Sequence, residues 1–253
     1  MKLLTSSAKT VKGEKLGYFT MVQYLMAGSK SGYNMCPMAT DACLDLCLGH
    51  NSGRMVMNTV QQAQYNRTIN FMENREAHMD QMVDEIEKGI RHAKRRDLIP
   101  VIRPNGTSDQ RWENIPVQGY PNLMALFADY QFYDYTKLEN RRNIPDNYDL
   151  TFSRSENNWH ICEEMLAKGT RVAVCGTAEY DAVIPLACLV GSPPFQPHPV
   201  SGAPPSWGYP IVDGDEHDLT FLQPAPSIIW LKAKGKKAKE DTSGFTLHTI
   251  PRH

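Results

Sequence analysis

The sequence has almost no net charge, no long apolar run and no Cys-x-x-Cys pair. Each absence removes a class of function. A formal net charge of −1 argues against a general polyanion binder, which needs a cationic surplus. None of the 253 residues lie in an apolar stretch long enough for a spanning helix, which takes roughly 20 such residues. Met1 to Ser7 lacks the apolar core of a secretory signal, so the expectation is an intracellular protein. In a reducing compartment the six cysteines read as free thiols or metal ligands, not disulfides. The missing Cys-x-x-Cys removes the usual two-pair pattern of structural zinc. What remains, 41% hydrophobic and 22% charged, is a globular composition, and the length suits one α/β domain over residues 1–253.

The densest chemistry lies in Cys36-Pro-Met-Ala-Thr-Asp-Ala-Cys43-Leu-Asp-Leu-Cys47. Cys43 and Cys47 are four apart, so on one helix they share a face, with Cys36 reaching in from the preceding loop. Two ligand sets are open. Cys36, Cys43 and Cys47 with His50 would make a Cys3His zinc site. The three thiols alone would hold a [4Fe–4S] cluster with one iron free of protein thiolate. Electron-transfer clusters use four cysteines, so three point to chemistry at the open iron. Burial as small apolar side chains is the plain alternative, and it is the reading for Cys162, Cys175 and Cys188.

In chain order, residues 1–17 form a polar N-terminal arm. Seven apolar runs read as strands: Tyr18–Leu25, Leu98–Ile102, Gln131–Tyr135, Tyr148–Phe152, Arg171–Cys175, Pro210–Val212 and Ser227–Leu231. Helical patterns lie between them. Val56–Arg95 reads as two pieces broken near Glu73-Asn74, the second with Met79, Met82, Val83, Ile86, Ile90 and Ala93 on one face. Asn122–Ala128, Asn157–Lys168 and Ala178–Leu186 are shorter. Residues 191–209 are a Pro/Gly-rich loop, and residues 232–244 a basic flexible segment. Strands alternating with helices predict a mainly parallel sheet, open or curled into a partial (β/α) barrel. Ligands on such sheets bind at the C-terminal strand ends. There stand Asn105, Ser108 and Ser153 as candidate binding groups, and Asp109, Asp134 and Lys137 as candidate catalytic groups. Asn105-Gly106-Thr107-Ser108-Asp109 could cradle an anion on its backbone N–H groups, or be an ordinary turn with Asp109 as a cap.

The opening Leu4-Thr-Ser-Ser-Ala-Lys-Thr-Val-Lys-Gly-Glu-Lys-Leu-Gly17, Cys-Pro-Met-Ala-Thr, Asn-Gly-Thr-Ser-Asp, Gln-Phe-Tyr-Asp-Tyr-Thr-Lys, Leu-Thr-Phe-Ser and Leu-Lys-Ala-Lys-Gly together resemble a family of uncharacterised bacteriophage and plasmid proteins. That family is known mainly by a mycobacteriophage gene-product label. The resemblance runs from about residue 4 to residue 245. It implies a phage or mobile-element origin and the host cytoplasm, and names no activity. The chain is more weakly similar to radical S-adenosylmethionine (SAM) enzymes, which place a three-cysteine [4Fe–4S] loop after the first strand of a partial (β/α) barrel. Their usual spacing is C-x3-C-x2-C, against C-x6-C-x3-C here, and no glycine-rich SAM-binding segment is evident. The expectation is therefore a radical-SAM-like [4Fe–4S] enzyme acting on a nucleotide-like or nucleic-acid substrate, with SAM left open. The alternatives are a non-redox iron–sulfur enzyme of Lewis-acid or desulfidase type, and a zinc-stabilised binding protein.

Overall fold

The computed structural model describes residues 1–180, 200–201 and 208–249. The expected Ala178–Leu186 helix, Cys188 and the 191–209 loop fall wholly or mostly outside them. The strands are β1 (Leu4–Thr5), β2 (Tyr18–Gln23), β3 (Ile99–Arg103), β4 (Gln131–Thr136), β5 (Tyr148–Ser153), β6 (Val172–Gly176), β7 (Val200–Ser201), β8 (Ile211–Asp213), β9 (Ile228–Lys232) and β10 (His248–Thr249). All seven expected strands are among them, with ends moved by a residue or two.

Eight strands form one sheet in the order β1-β2-β3-β4-β5-β6-β9-β8. Every pairing in it is parallel except β1 with β2. The edge strands β1 and β8 do not meet, so the sheet is not closed. The expected α/β fold with a mainly parallel sheet is thus established, as an open sheet. From β2 to β6 each new strand adds on the same side of the last, so their C-terminal ends share one rim. Strands β7 and β10 pair separately, antiparallel.

Ser7 starts α1 (Ala8–Val11) with a capping box. The crossover from β2 to β3 holds α2 (Asp41–Asp45), α3 (Leu48–Asn51), α4 (Asn58–Glu73) and α5 (Arg75–Lys94). The break at Asn74 falls where expected. Later come α6 (Leu123–Leu126), α7 (Trp159–Ala167) and α8 (Lys236–Lys239). No helix among the described residues is long and apolar enough to cross a membrane.

Side chains alternate across the strands and so define two faces. Met21, Ile102, Phe132 and Tyr148 join the cluster built on α5, where Met79, Met82, Val83, Ile86 and Ile90 are buried as their spacing requires. Phe152, Val174 and Trp230 continue that side with Cys162 and Leu166 of α7. The other face carries Val101 and Tyr133 under Leu219, then polar residues towards the rim.

The polar arm is folded against this sheet. Leu3 and Leu4 are buried, and their N–H groups donate to the Glu85 carboxylate of α5 at 2.8–3.0 Å. The basic segment 232–244 also differs from a free tail: Ala238 of α8 is buried, and Lys237 Nζ lies 2.5 Å from Asp45 Oδ1. Alternating Lys and Ala hid this small apolar anchor from composition.

The turn after β3 is tight because Gly106 N donates to Gln23 O at 2.9 Å. A Cβ on Gly106 would stand 2.6 Å from that oxygen, a backbone atom with no freedom to retreat. Gly106→Ala is expected to lower folding stability by about 1–3 kcal/mol in a urea titration, the usual range for overpacking. An unchanged midpoint would show that the turn relaxes freely.

Candidate cofactor and substrate cavity

A cavity of about 470 Å³ opens at the C-terminal rim. Its walls include Arg103 and residues 105–109 after β3, Tyr135 to Lys137 at the end of β4, Ser153 and Arg154 after β5, and Cys175 of β6. Cys36, Cys43 and Cys47 line it too, so the three thiols and the strand ends share one space.

The loop after β3 is fixed mainly by Asn105. Its Oδ1 accepts from Ser108 Oγ at 2.8 Å, Gln110 N at 2.9 Å and Trp112 Nε1 at 3.0 Å. Its backbone N–H donates to both Asp134 oxygens, at 3.0 and 3.1 Å. Asp109 N donates to Met35 O at 2.8 Å, which docks the cysteine segment. The expected anion cradle is therefore reduced: the N–H groups of Asn105, Gly106 and Asp109 are already bonded within the protein.

Of the expected site residues, Asn105, Ser108, Asp109, Lys137 and Ser153 line the cavity. Asp134 lies behind the wall. It shares the parity of Phe132 in β4, so it points to the helix-packed face. It is wholly buried, accepts from Tyr148 Oη at 2.8 Å, and has Arg103 Nε 3.7 Å away. Burial pushes its carboxyl up to about 7. Its role is to position Asn105. Asp109 also accepts, from Thr136 Oγ1 at 2.8 Å and Lys137 N at 2.7 Å, and burial raises its pKa. The pairs Arg103–Asp218 and Lys9–Asp218, and the cavity residues Arg154 and Phe245, did not figure in the sequence reading. Arg103 and Arg154 each sit at a strand end, the very signal that picked out Ser153.

The cysteines do not share one helix. The segment α2 stops at Leu46, whose φ of −91° and ψ of 2° leave the helical region, and Cys47 starts α3 as its N-cap. Cys47 Sγ accepts from Gly49 N at 3.3 Å, and Cys36 Sγ from Gly28 N at 3.5 Å. Among the described residues no group of three or more His, Cys, Asp or Glu side chains could hold a metal ion. His50 is not part of the cavity wall. Burial pushes the Cys36 thiol up to about 12, with nearby Cys47 and Cys43 adding to the rise, and burial raises Cys47 as well.

A family model described as Gene product 88 matches residues 1–249. The chain belongs to the Gene product 88 family. No curated protein and no solved structure matches it. The Gene product 88 match takes in the cysteine segment, the cavity loops and the C-terminal strands together, and it establishes the gene-product family that the motifs resemble.

The raised Cys36 thiol has a kinetic signature. Alkylation of Cys36 in metal-free protein, followed by mass spectrometry, is expected to quicken about tenfold per pH unit from pH 7 to 10, because only the thiolate reacts. A rate that levels off near pH 9, as for an ordinary thiol, would refute the assignment.

Proposed function

We propose that this Gene product 88 chain is an iron–sulfur enzyme whose [4Fe–4S] cluster is held by Cys36, Cys43 and Cys47. The observation that carries the reading is that three thiols line one cavity with six cationic side chains: Lys9, Arg103, Lys137, Arg154, Lys232 and Lys234. Burial disfavours the thiolates of Cys36 and Cys47, and a positively charged inorganic core would stabilise them as anions. Soft sulfur donors suit such a core. A single zinc fits less well, because it needs its donors drawn to one point about 2.3 Å from each sulfur. The described residues bring no three such donors together for either centre, so the thiols must draw in to hold the cluster, and the fourth zinc donor, His50, is off the wall.

When bound, such a cluster supplies an iron without protein thiolate, open to substrate or to SAM. The chain's own residues do the remainder. Asn105 and Ser108 hold the loop in shape, Asp109 N docks it on the cysteine segment, and Asp109 and Lys137 present a carboxyl and an ammonium to the cavity. Asp134 fixes Asn105 from behind. A radical-SAM-like partial barrel is the finer reading of the open parallel sheet, and a nucleotide-like substrate suits the cationic lining.

Protein purified without oxygen is expected to be brown and to carry about four irons per chain, the content of one [4Fe–4S] cluster. Cys43→Ala is expected to lose most of that iron. Iron-free wild-type protein, or a full iron load in Cys43→Ala, defeats the reading. The electron paramagnetic resonance signal of the reduced protein should change on adding SAM, whereas an unchanged signal assigns the cluster to Lewis-acid or desulfidase chemistry.

A further inference from the structure

Four of the six cavity cations have a carboxylate partner. Lys9 Nζ lies 3.1 Å from Asp218 Oδ1, Arg103 Nη1 2.5 Å from Asp218 Oδ2 and Lys234 Nζ 2.7 Å from Asp215 Oδ1, while Lys232 pairs with Glu179. Lys137 and Arg154 have no carboxylate within 4.0 Å among the described residues. These two are neighbours. The register of β4 on β5 pairs Thr136 with Phe152, so Lys137 and Arg154 leave adjacent strand ends. Phe245 joins them: Arg154 Nη1 donates to its carbonyl at 2.8 Å, and Lys137 Nζ stands 5.5 Å from its ring centroid.

Arg154 is only 6% exposed. Its Nη2 donates to Gly244 O at 2.9 Å, its Nε has no partner, and each Nη keeps a second N–H. The nearby thiols of Cys162 and Cys175 are pushed up to about 12 and 11 by burial, so at neutral pH they stay protonated, and the carboxylates that partly offset its charge, Glu156 and Asp241, act from beyond 4.0 Å. A buried cation is costly to leave without an anion. With the half-buried Lys137 beside it on the cavity wall, the pair suits a dianion.

We propose that Lys137 and Arg154 form a subsite for a phosphomonoester, so that the substrate enters as a small monophosphate such as a nucleoside 5′-monophosphate. This rests on reading the cavity as the substrate site, though not on the cluster. A phosphomonoester brings close to two negative charges at pH 7, where a carboxylate or an internal phosphodiester brings one. Arginine offers paired N–H donors to its oxygens and lysine a point charge. The volume of about 470 Å³ fits a small molecule.

The test is calorimetry on the full chain purified without oxygen, with iron counted on the same sample. Nucleoside 5′-monophosphates, the matching nucleosides and inorganic phosphate are the probes. A monophosphate is expected to bind at least about tenfold more tightly than its nucleoside, with inorganic phosphate competing. Lys137→Gln should weaken the monophosphate about tenfold and leave the nucleoside unchanged. Arg154 also holds the chain at Gly244 and Phe245, so Lys137→Gln, with a melting temperature matched to wild type, is the deciding variant. Equal affinity for nucleoside and monophosphate overturns the subsite, as does no binding of any probe. So does a Lys137→Gln protein that keeps its monophosphate affinity or loses iron instead. Phosphate-dependent binding to iron-free protein upholds the subsite while removing the cluster, and iron-loaded protein indifferent to phosphate does the reverse.

Discussion

The cavity depends on a buried contact between two adjacent strand ends, the carboxylate of Asp134 against the backbone N–H of Asn105. Asn105 in turn organises its loop through four side-chain hydrogen bonds, and that loop receives the cysteine segment through Asp109 N and Met35 O. A chain of contacts thus runs from the sheet to the thiols. The first link is sheltered from water, where a charged acceptor binds an N–H most strongly. Asp134 contributes by holding the wall that others line.

The electrostatics of the cavity have two halves. On one side are thiols, of which burial raises Cys36 and Cys47, and on the other are cations that exceed the lining carboxylates. The lining carboxylates are Asp109, Asp215 and Asp218. The imbalance is local, because the chain as a whole is near neutrality at −1. Charge of one sign has been gathered at a single rim, a distribution that net charge conceals.

The sheet was legible in the sequence because each strand is a short apolar run ending in polar residues, and α5 because its apolar face keeps strict helical spacing. The rim was legible because parallel strands bring their C-terminal ends together. What misled was one residue of parity and one residue of helix length. Asp134 lies at a strand end like Ser153, yet its position in the alternation turns it to the packed face. Cys43 and Cys47 have helical spacing, yet Leu46 leaves the helix between them. The N-terminal arm was obscured by composition: its Lys, Ser and Thr look solvated, while Leu3, Leu4 and Thr10 are buried. Lys9 contributes through an ion pair 209 residues along the chain, which local patterns do not contain.

The two-residue strand β1 has an effect on how the molecule meets others of its kind. Outer strands of a sheet ordinarily expose a row of unpaired N–H and C=O groups that another chain can extend. Here the strand at that border is very short and antiparallel, and the N–H groups of Leu3 and Leu4 are already taken by Glu85. A helix side chain thus caps the border as a further strand would. On that side the long parallel sheet thus offers little free backbone to a further strand, since its border is two residues long and its first amides are already bonded.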